Sequence, residues 1–430
     1  MNFRPSLFIS AVALALTSLG ANRLMAANVI VGACPGSSYA TISAAVAASL
    51  AGSTIRICPG ADPEQVVIKK PLTLVGITIA GSQNPVVQAP AGGVVANTTQ
   101  LYNISPPIHS PVAAQILVMD TASVNISNIA VDGAKNGIAS CALDVVGIYY
   151  RNASGAIANV VVKNQALATA LNGCQSGEGI YIESGYGTSG QSVVEVAGSS
   201  VHGYQKNGIT ADGSNTNVEV QNNFVTGQGP TTGAAENGIQ FSDGAFGSIK
   251  GNTVLDNIYS GPTYGASGIL IYSAQGAVIT NNSIGSSQLP IATVSDPSFP
   301  TAHNPNGTSD RTTINNNEIT NTAYGDGIDA CSNSNTINGN LIVNALTSGI
   351  HLDSLCGGTG KNNTVSSNVV NESCAGILQG GSPNSISSNT SFNVQSAILA
   401  GDACVSSRAS INSTAALGTA ATVQLLPSRR

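Results

Sequence analysis

The chain has no tryptophan and very little charge. Asp, Glu, Lys and Arg together make up 8% of its 430 residues, against roughly 25% in typical soluble domains. That scarcity argues against an ordinary globular surface. Basic residues number 15 against 21 acidic ones, the net charge is −6, and no basic run occurs. Electrostatic binding of a phosphate backbone is thereby excluded, and no nucleic-acid partner is expected. Low charge alone would suit a disordered chain, but 42% hydrophobic content with many β-branched residues indicates a packed, β-rich one. Beyond the N-terminal segment no run of ~18 apolar residues occurs, so the mature chain is not expected to insert in a membrane. Also missing are a C-x-x-C or Cys/His zinc spacing, a Gly-x-Ser-x-Gly elbow, a phosphate loop and a dinucleotide fingerprint.

The N-terminus carries an address. Arg4 precedes the apolar run Leu7 to Leu19, and small residues follow at Ala21, Ala26 and Ala27. Residues 1–27 read as a secretory signal peptide cut near Ala26 or Ala27, and no Cys follows closely enough to make a lipobox. A secreted, periplasmic or cell-surface location is expected. In that setting the eight cysteines favour disulfides over thiol chemistry. Cys141 lies six residues before Gly147 and Cys174 five before Gly179, nearly the same phase in adjacent units, so these two are expected to pair. Cys34–Cys58 would lock the N-terminal region. Spacing alone suggests Cys331–Cys356 and Cys374–Cys404.

What the sequence has in abundance is a repeat. A Gly-Ile step recurs at Gly147, Gly179, Gly208, Gly238, Gly268, Gly327, Gly349 and Gly376, with spacings of 32, 29, 30, 30, 59, 22 and 27. Ala397-Ile398 adds a degenerate copy, and the gap of 59 reads as two units, one of them distorted. In step with it runs a second motif: an apolar residue, two others, Asn, any residue, then usually an apolar one. It centres on Asn223, Asn252, Asn282, Asn317, Asn340, Asn368 and, more weakly, Asn389. Units this short cannot bury an apolar face alone, so they must stack as coils. Stacked strands lie about 4.8 Å apart, which would place equivalent Asn side chains in an amide ladder at a turn.

With these motifs the chain resembles the right-handed parallel β-helix family, the pectin-lyase-like architecture of carbohydrate-binding and sugar-hydrolysing repeat proteins. The resemblance covers residues 30 to 404. Its N-terminal signature is Tyr39-Ala-Thr-Ile-Ser-Ala-Ala-Val-Ala-Ala-Ser-Leu-Ala-Gly-Ser-Thr-Ile-Arg-Ile-Cys-Pro-Gly60, followed by Glu64-Gln-Val-Val-Ile-Lys-Lys-Pro-Leu-Thr-Leu-Val-Gly76. The resemblance implies an all-β, single-stranded right-handed parallel β-helix, or solenoid, with a short capping helix begun by Thr41. The expected organisation is signal peptide 1–27, cap and first strand 28–60, β-helix 61–404, and tail or partial cap 405–430. First strands are expected at Thr54–Ile57, Val66–Ile68 and Leu72–Val75. The Asn-Thr-Asp, Asp-Asp and Gly-His-Gly motifs of polygalacturonases are absent. So is a dense Asp cluster with a neighbouring Arg, as in pectate lyases, and the paired Asp and Arg motifs of pectin methylesterases are not recognisable.

Strand periodicity of two sends the first and third residues after each Gly into the core and the second and fourth outward. The outward strip reads Tyr149, Tyr181, Thr210, Gln240, Leu270, Asp329, His351, Leu378 and Arg151, Glu183, Asp212, Ser242, Tyr272, Cys331, Asp353, Gly380. In so uncharged a chain this concentration of charged and aromatic groups is the main functional signal, set against the bland reading of an ordinary solvated face. Tyr149, Arg151, Tyr181, Glu183, Asp212, Gln240 and Tyr272 are candidates for binding a polysaccharide or surface glycan, the tyrosines by stacking on sugar rings. Neighbouring carboxylates Glu183 and Asp212 can bind Ca²⁺ or share a proton, or belong simply to a surface Arg–Glu pair. Asp329, His351 and Asp353, with Asp326 in the preceding turn, are candidates for catalysis. Asp329 and Asp353 would lie roughly 8 Å apart at the backbone, suiting an acid and base separated by a water. Residues 285–312 are expected to leave the coil as a long loop, as is the interruption at Pro106-Pro107-Ile108-His109. The leading expectation is glycan binding along the strip. The alternatives are a polysaccharide lyase, glycoside hydrolase or epimerase using the Asp/His cluster, and a structural or adhesive surface protein. The glycan, any metal and the oligomeric state stay open.

Overall fold

The computed structural model describes residues 28–79, 84–101, 111–262, 264–298, 304, 306–322 and 325–404. The signal-peptide segment, the tail and the Pro106–His109 interruption lie outside them. Short strands follow one another around a coil, and each coil stacks in parallel register on the next. One face of the stack is built by the Gly-Ile strands: Glu178–Glu183, Asn207–Asp212, Asn237–Ser242, Ser267–Tyr272 and their successors. Another runs from Ser192–Ala197 through Thr216–Gln221 to Ser385–Ser387. The remaining face runs from Val161–Lys163 through Phe224–Thr226 to Leu341–Ala345.

The predicted alternation fills the coil interior. Ile180 and Ile182, Ile239 and Phe241, Ile269 and Ile271, and Ile350 and Leu352 all belong to one continuous core that runs the length of the stack. Glycine is favoured at most Gly-Ile steps because the chain turns a corner there with coils in close contact. A Cβ on Gly208 would stand 2.5 Å from the carbonyl oxygen of Gly238, and one on Gly179 would stand 2.5 Å from that of Gly208. No side chain fits that gap.

The asparagine ladder is continuous. Asn223 Nδ2 donates to Asn252 Oδ1 at 3.0 Å, and the same bond repeats from Asn252 to Asn282, Asn317, Asn340, Asn368 and Asn389 at 2.9–3.0 Å. The preceding residues Asn222, Asn281 and Asn316 take positive φ near 55°, a conformation Asn tolerates better than most residues.

Ser53–Ile57, Val66–Ile68 and Leu72–Gly76 start the coils as expected. The helix Ile42–Ala48 sits at the open end, with Thr41 Oγ1 accepting from Ala44 N at 3.2 Å and Ile42, Ala45 and Val46 buried. Glu64, from the following coil, also accepts from Ile42 N and Ser43 N. All four expected disulfides are present.

One expectation is corrected. Residues 285–312 are not one long loop, because Leu289–Val294 is a fully buried strand of the Gly-Ile face. Ile291 stacks between Ile269 and Ile328, with Pro290 in the place of glycine. The gap of 59 is therefore two coils, and the chain leaves the stack only after Val294.

Candidate functional site

The Gly-Ile strip faces away from the coil core, yet it is not solvated. Tyr149, Tyr181, Glu183, Asp212, Gln240 and Tyr272 are all buried, and Arg151 is half-buried. The expected sugar-stacking tyrosines are instead packed on each other, with ring centroids of Tyr149 and Tyr181 5.0 Å apart. A second layer of chain covers this end of the strip. Thr98–Thr99 runs antiparallel to Pro111 and Val112. Beside it Arg151 Nε donates to Thr99 O at 3.0 Å, Gln100 Nε2 to Asp144 Oδ2 at 2.9 Å, and Leu101 N to Glu183 Oε2 at 2.8 Å. Apolar Val112, Ala114, Leu117 and Val146 close around the rings.

The carboxylates here are occupied by donors. Tyr149 OH donates to Glu183. Asp212 accepts from Tyr181 OH, and its other oxygen lies 2.9 Å from both Tyr186 OH and Ser242 Oγ. Burial, then the charges of Asp212 and Glu183, pushes the Tyr181 phenol well above its ordinary value, so it remains a donor. Gln240 bonds to Asn237 and Ser242. Tyr272 packs among Leu270, Leu289, Ala292 and Val294 and donates to Asp296. Glu183 and Asp212, the candidate Ca²⁺ ligands, thus serve as acceptors for protein donors. Just outside this cluster lies an open polar groove of about 420 Å³, lined by Asp120, Asn152, Ser154, Thr188 and Gln191 among others.

The sequence reading missed the residue before each Gly. The corner breaks the period of two, and that side chain turns to the same outer side as the second residue after Gly. Asn207 Nδ2 lies 3.1 Å from Thr210 Oγ1, and Asn237 Nδ2 lies 3.1 Å from Gln240 Oε1. This column places Glu178 and Asp326 in the outer layer. Glu178 is fully buried; burial, then Asp144, raises its carboxyl well above the usual range, and the Thr210 hydroxyl offsets this only in part.

At the other end of the strip four carboxyl groups surround one imidazole. His351 Nδ1 is 3.2 Å from Asp326 Oδ2 and 4.0 Å from Asp353 Oδ2, while Nε2 is 3.4 Å from Asp402 Oδ1. That last contact is not aligned as a hydrogen bond, and Nε2 has no hydrogen-bond partner. Asp329 pairs in register with His351, is 7% exposed, and leaves its Oδ1 without a partner. One ligand atom each of Asp329, His351 and Asp353 falls within 4.8 Å of the others. The expected backbone offset is thus drawn in by the side chains, to less than the roughly 6.5–9.5 Å of an inverting acid–base pair.

Each charge has a local cause. Asp326 Oδ1 accepts from Ser348 N at 2.8 Å and Ser348 Oγ at 2.6 Å, and also from Thr347 Oγ1. Burial opposes its ionisation, but the His351 contact and these donors together hold its carboxyl below the ordinary value. Burial likewise works against the imidazolium, yet Asp326, Asp329 and Asp353 push His351 up to about 10. Asp329 goes the other way: burial first, then the neighbouring Asp353, raises it well above the carboxylate range. Burial also raises Asp353. At neutral pH the centre therefore holds an imidazolium paired with Asp326, while burial and the neighbouring Asp353 favour the protonated form of Asp329. Asp329, His351 and Asp353 are spaced so that a cation could bridge them, and the imidazolium supplies positive charge at that point.

Asp402, which the strip did not include, follows the last strand, Thr390–Ala400. Ser354 N and Ser354 Oγ donate to it at 3.1 and 3.0 Å. The Cys374–Cys404 bridge ties its segment down, and Cys331–Cys356 closes the turn that carries Asp353. Asp402 is the most open of the three carboxylates that contact His351, with 20% of its side chain accessible against 12% for Asp326 and 13% for Asp353.

A family model described as a right handed beta helix region matches residues 237–392. Among solved structures, a GH136 lacto-N-biosidase from Eubacterium ramulus is similar at 13% identity and a TM-score of 0.56, covering 87% of this chain and 68% of its own. A DFA-IIIase from Arthrobacter chlorophenolicus A6 is similar at 16% identity and 0.53, covering 87% and 98%. Comparison with curated protein sequences gave no match.

Proposed function

The chain belongs to the right-handed parallel β-helix proteins, and from that premise we propose that it cleaves a glycosidic bond at the cluster around His351. The observation that carries this reading is the buried carboxyl of Asp329, its Oδ1 without a hydrogen-bond partner, set against His351 and Asp353. Two carboxyls whose surroundings give them different affinities for a proton are what acid-assisted glycoside cleavage needs. Asp329 is the acid: it gives its proton to the glycosidic oxygen as the bond from the sugar carbon breaks. Asp353, more open, is the carboxylate on the other side. Their oxygens lie within 4.8 Å, closer to the roughly 5–5.5 Å of retaining enzymes than to the inverting separation. Asp353 therefore attacks the sugar carbon, and water then releases the glycosyl group, returning its proton to Asp329. His351, held by Asp326, balances the charge and fixes both neighbours. Fold-level company agrees, since a lacto-N-biosidase is among the similar chains.

A second reading, glycan binding without cleavage, rests on the polar groove beside Asn152 and Thr188. Both readings suit a protein acting outside the cytoplasm, where four disulfides persist. The test is incubation of the oxidised protein with a polysaccharide panel and mass spectrometry of small products. Products that disappear in Asp329→Asn and His351→Ala support cleavage. Saturable binding without products, weakened by Asn152→Ala, supports the groove instead.

A further inference from the structure

The His351 centre is poor in basic groups. Asp326, Asp329, Asp353 and Asp402 converge on one imidazole, and that imidazole is already engaged by Asp326. The charges that most affect these carboxyls come from one another and from His351. Several of the chain's other cations are spent elsewhere. Lys163 pairs with Asp132, Arg151 binds Thr99 O, Lys206 binds Ala235 O, Lys70 binds Ser49 O and Arg311 donates to Gln275. Two buried polar atoms face the centre without a hydrogen-bond partner, Asp329 Oδ1 and His351 Nε2, the latter 3.4 Å from Asp402 Oδ1, on residues 7% and 6% exposed.

We infer that the glycan cleaved is built of neutral or amino-bearing sugars and that polyuronates are rejected. This rests on the cleavage proposed above. A sugar hydroxyl both accepts from His351 Nε2 and pairs with Asp329 Oδ1, so no substrate carboxylate is needed to satisfy the centre, and a uronate brings a like charge beside Asp353 and Asp402. A sugar carboxylate ~5 Å from one uncompensated carboxylate, at an effective dielectric of about 20, would be disfavoured by roughly 100-fold. A site for uronates would place Arg or Lys against the substrate carboxylate.

The experiment uses the intact, oxidised protein on neutral hexose polymers, hexosamine polymers, polygalacturonate and the methyl ester of that same polygalacturonate, with products read by mass spectrometry. The expected result is release from neutral or amino-bearing polymers, with the free uronate slower by at least about 100-fold and its ester less disfavoured than the acid. Comparable cleavage of the free uronate, lost in His351→Ala, would overturn the charge selection while leaving cleavage standing. Release from no polymer overturns the cleavage reading, and this inference with it.

Discussion

The missing side chain of Gly380 is what admits Asp402 to the imidazole. A Cβ at Gly380 would lie 1.5 Å from Asp402 Oδ1, and that same oxygen is 3.4 Å from His351 Nε2. Gly380→Ala should push the carboxyl out of the centre while leaving the core untouched. Activity should drop by about 100-fold, as for an ångström-scale misplacement, with the circular dichroism spectrum unchanged. Unaltered turnover would remove Asp402 from the site.

Asp329 trades stability for chemistry. Its pKa in the fold is raised above the unfolded value of 3.8, so the native state carries a penalty that grows as pH rises past 3.8 toward the folded value. Asp329→Asn should remove that penalty. We expect the variant to be more stable than the parent at neutral pH by about 1–3 kcal/mol, the scale of a buried group lacking its partner, and to be inactive. Denaturant titration beside product release checks both halves.

His351 works with the opposite sign. Its folded pKa of about 10 exceeds the ordinary 6.5, so its contribution to stability is complete below 6.5 and is lost as pH climbs through 10. A melting profile from pH 6 to 10.5 should fall along that limb in the parent and be flatter in His351→Gln. Parallel profiles would show that the imidazolium is not held as described.

Interior members of the asparagine file should matter more than its end. Asn282 accepts from Asn252 and donates to Asn317 and Ile249 O. Asn282→Ala should cost about 1–3 kcal/mol for each buried partner left unsatisfied, and Asn389→Ala, at the last rung, less. Thermal melts of the two variants test the order.

Most of the coil was legible because its signals are local. Spacing of the Gly-Ile and Asn motifs gave the stacking and the inward Ile columns, the resemblance of the N-terminal signature implied the cap begun at Thr41, and the phase and spacing of the cysteines suggested their pairs. What periodicity could not show is that the chain doubles back over its own outer strip, since Gln100 and Leu101 meet Asp144 and Glu183 from a segment with no repeat. Hence Tyr149 and Tyr181 read as sugar platforms and are buried. Asp326 was placed near the site, but its column was not, because the glycine corner resets the alternation. Asp402 comes from the end of the last, degenerate coil. His351, Asp329 and Asp353 were found because they lie on the strand itself.

A solenoid whose coils touched only their neighbours could peel apart one turn at a time from either end. The bond from Leu101 to Glu183 spans 82 residues, past the strands Pro111–Ser127 and Asp144–Ala158. The first coils are thereby stitched to later ones, and fraying at the N-terminal end must release that staple before it can proceed. The N-terminal coils should therefore come undone as one block rather than turn by turn.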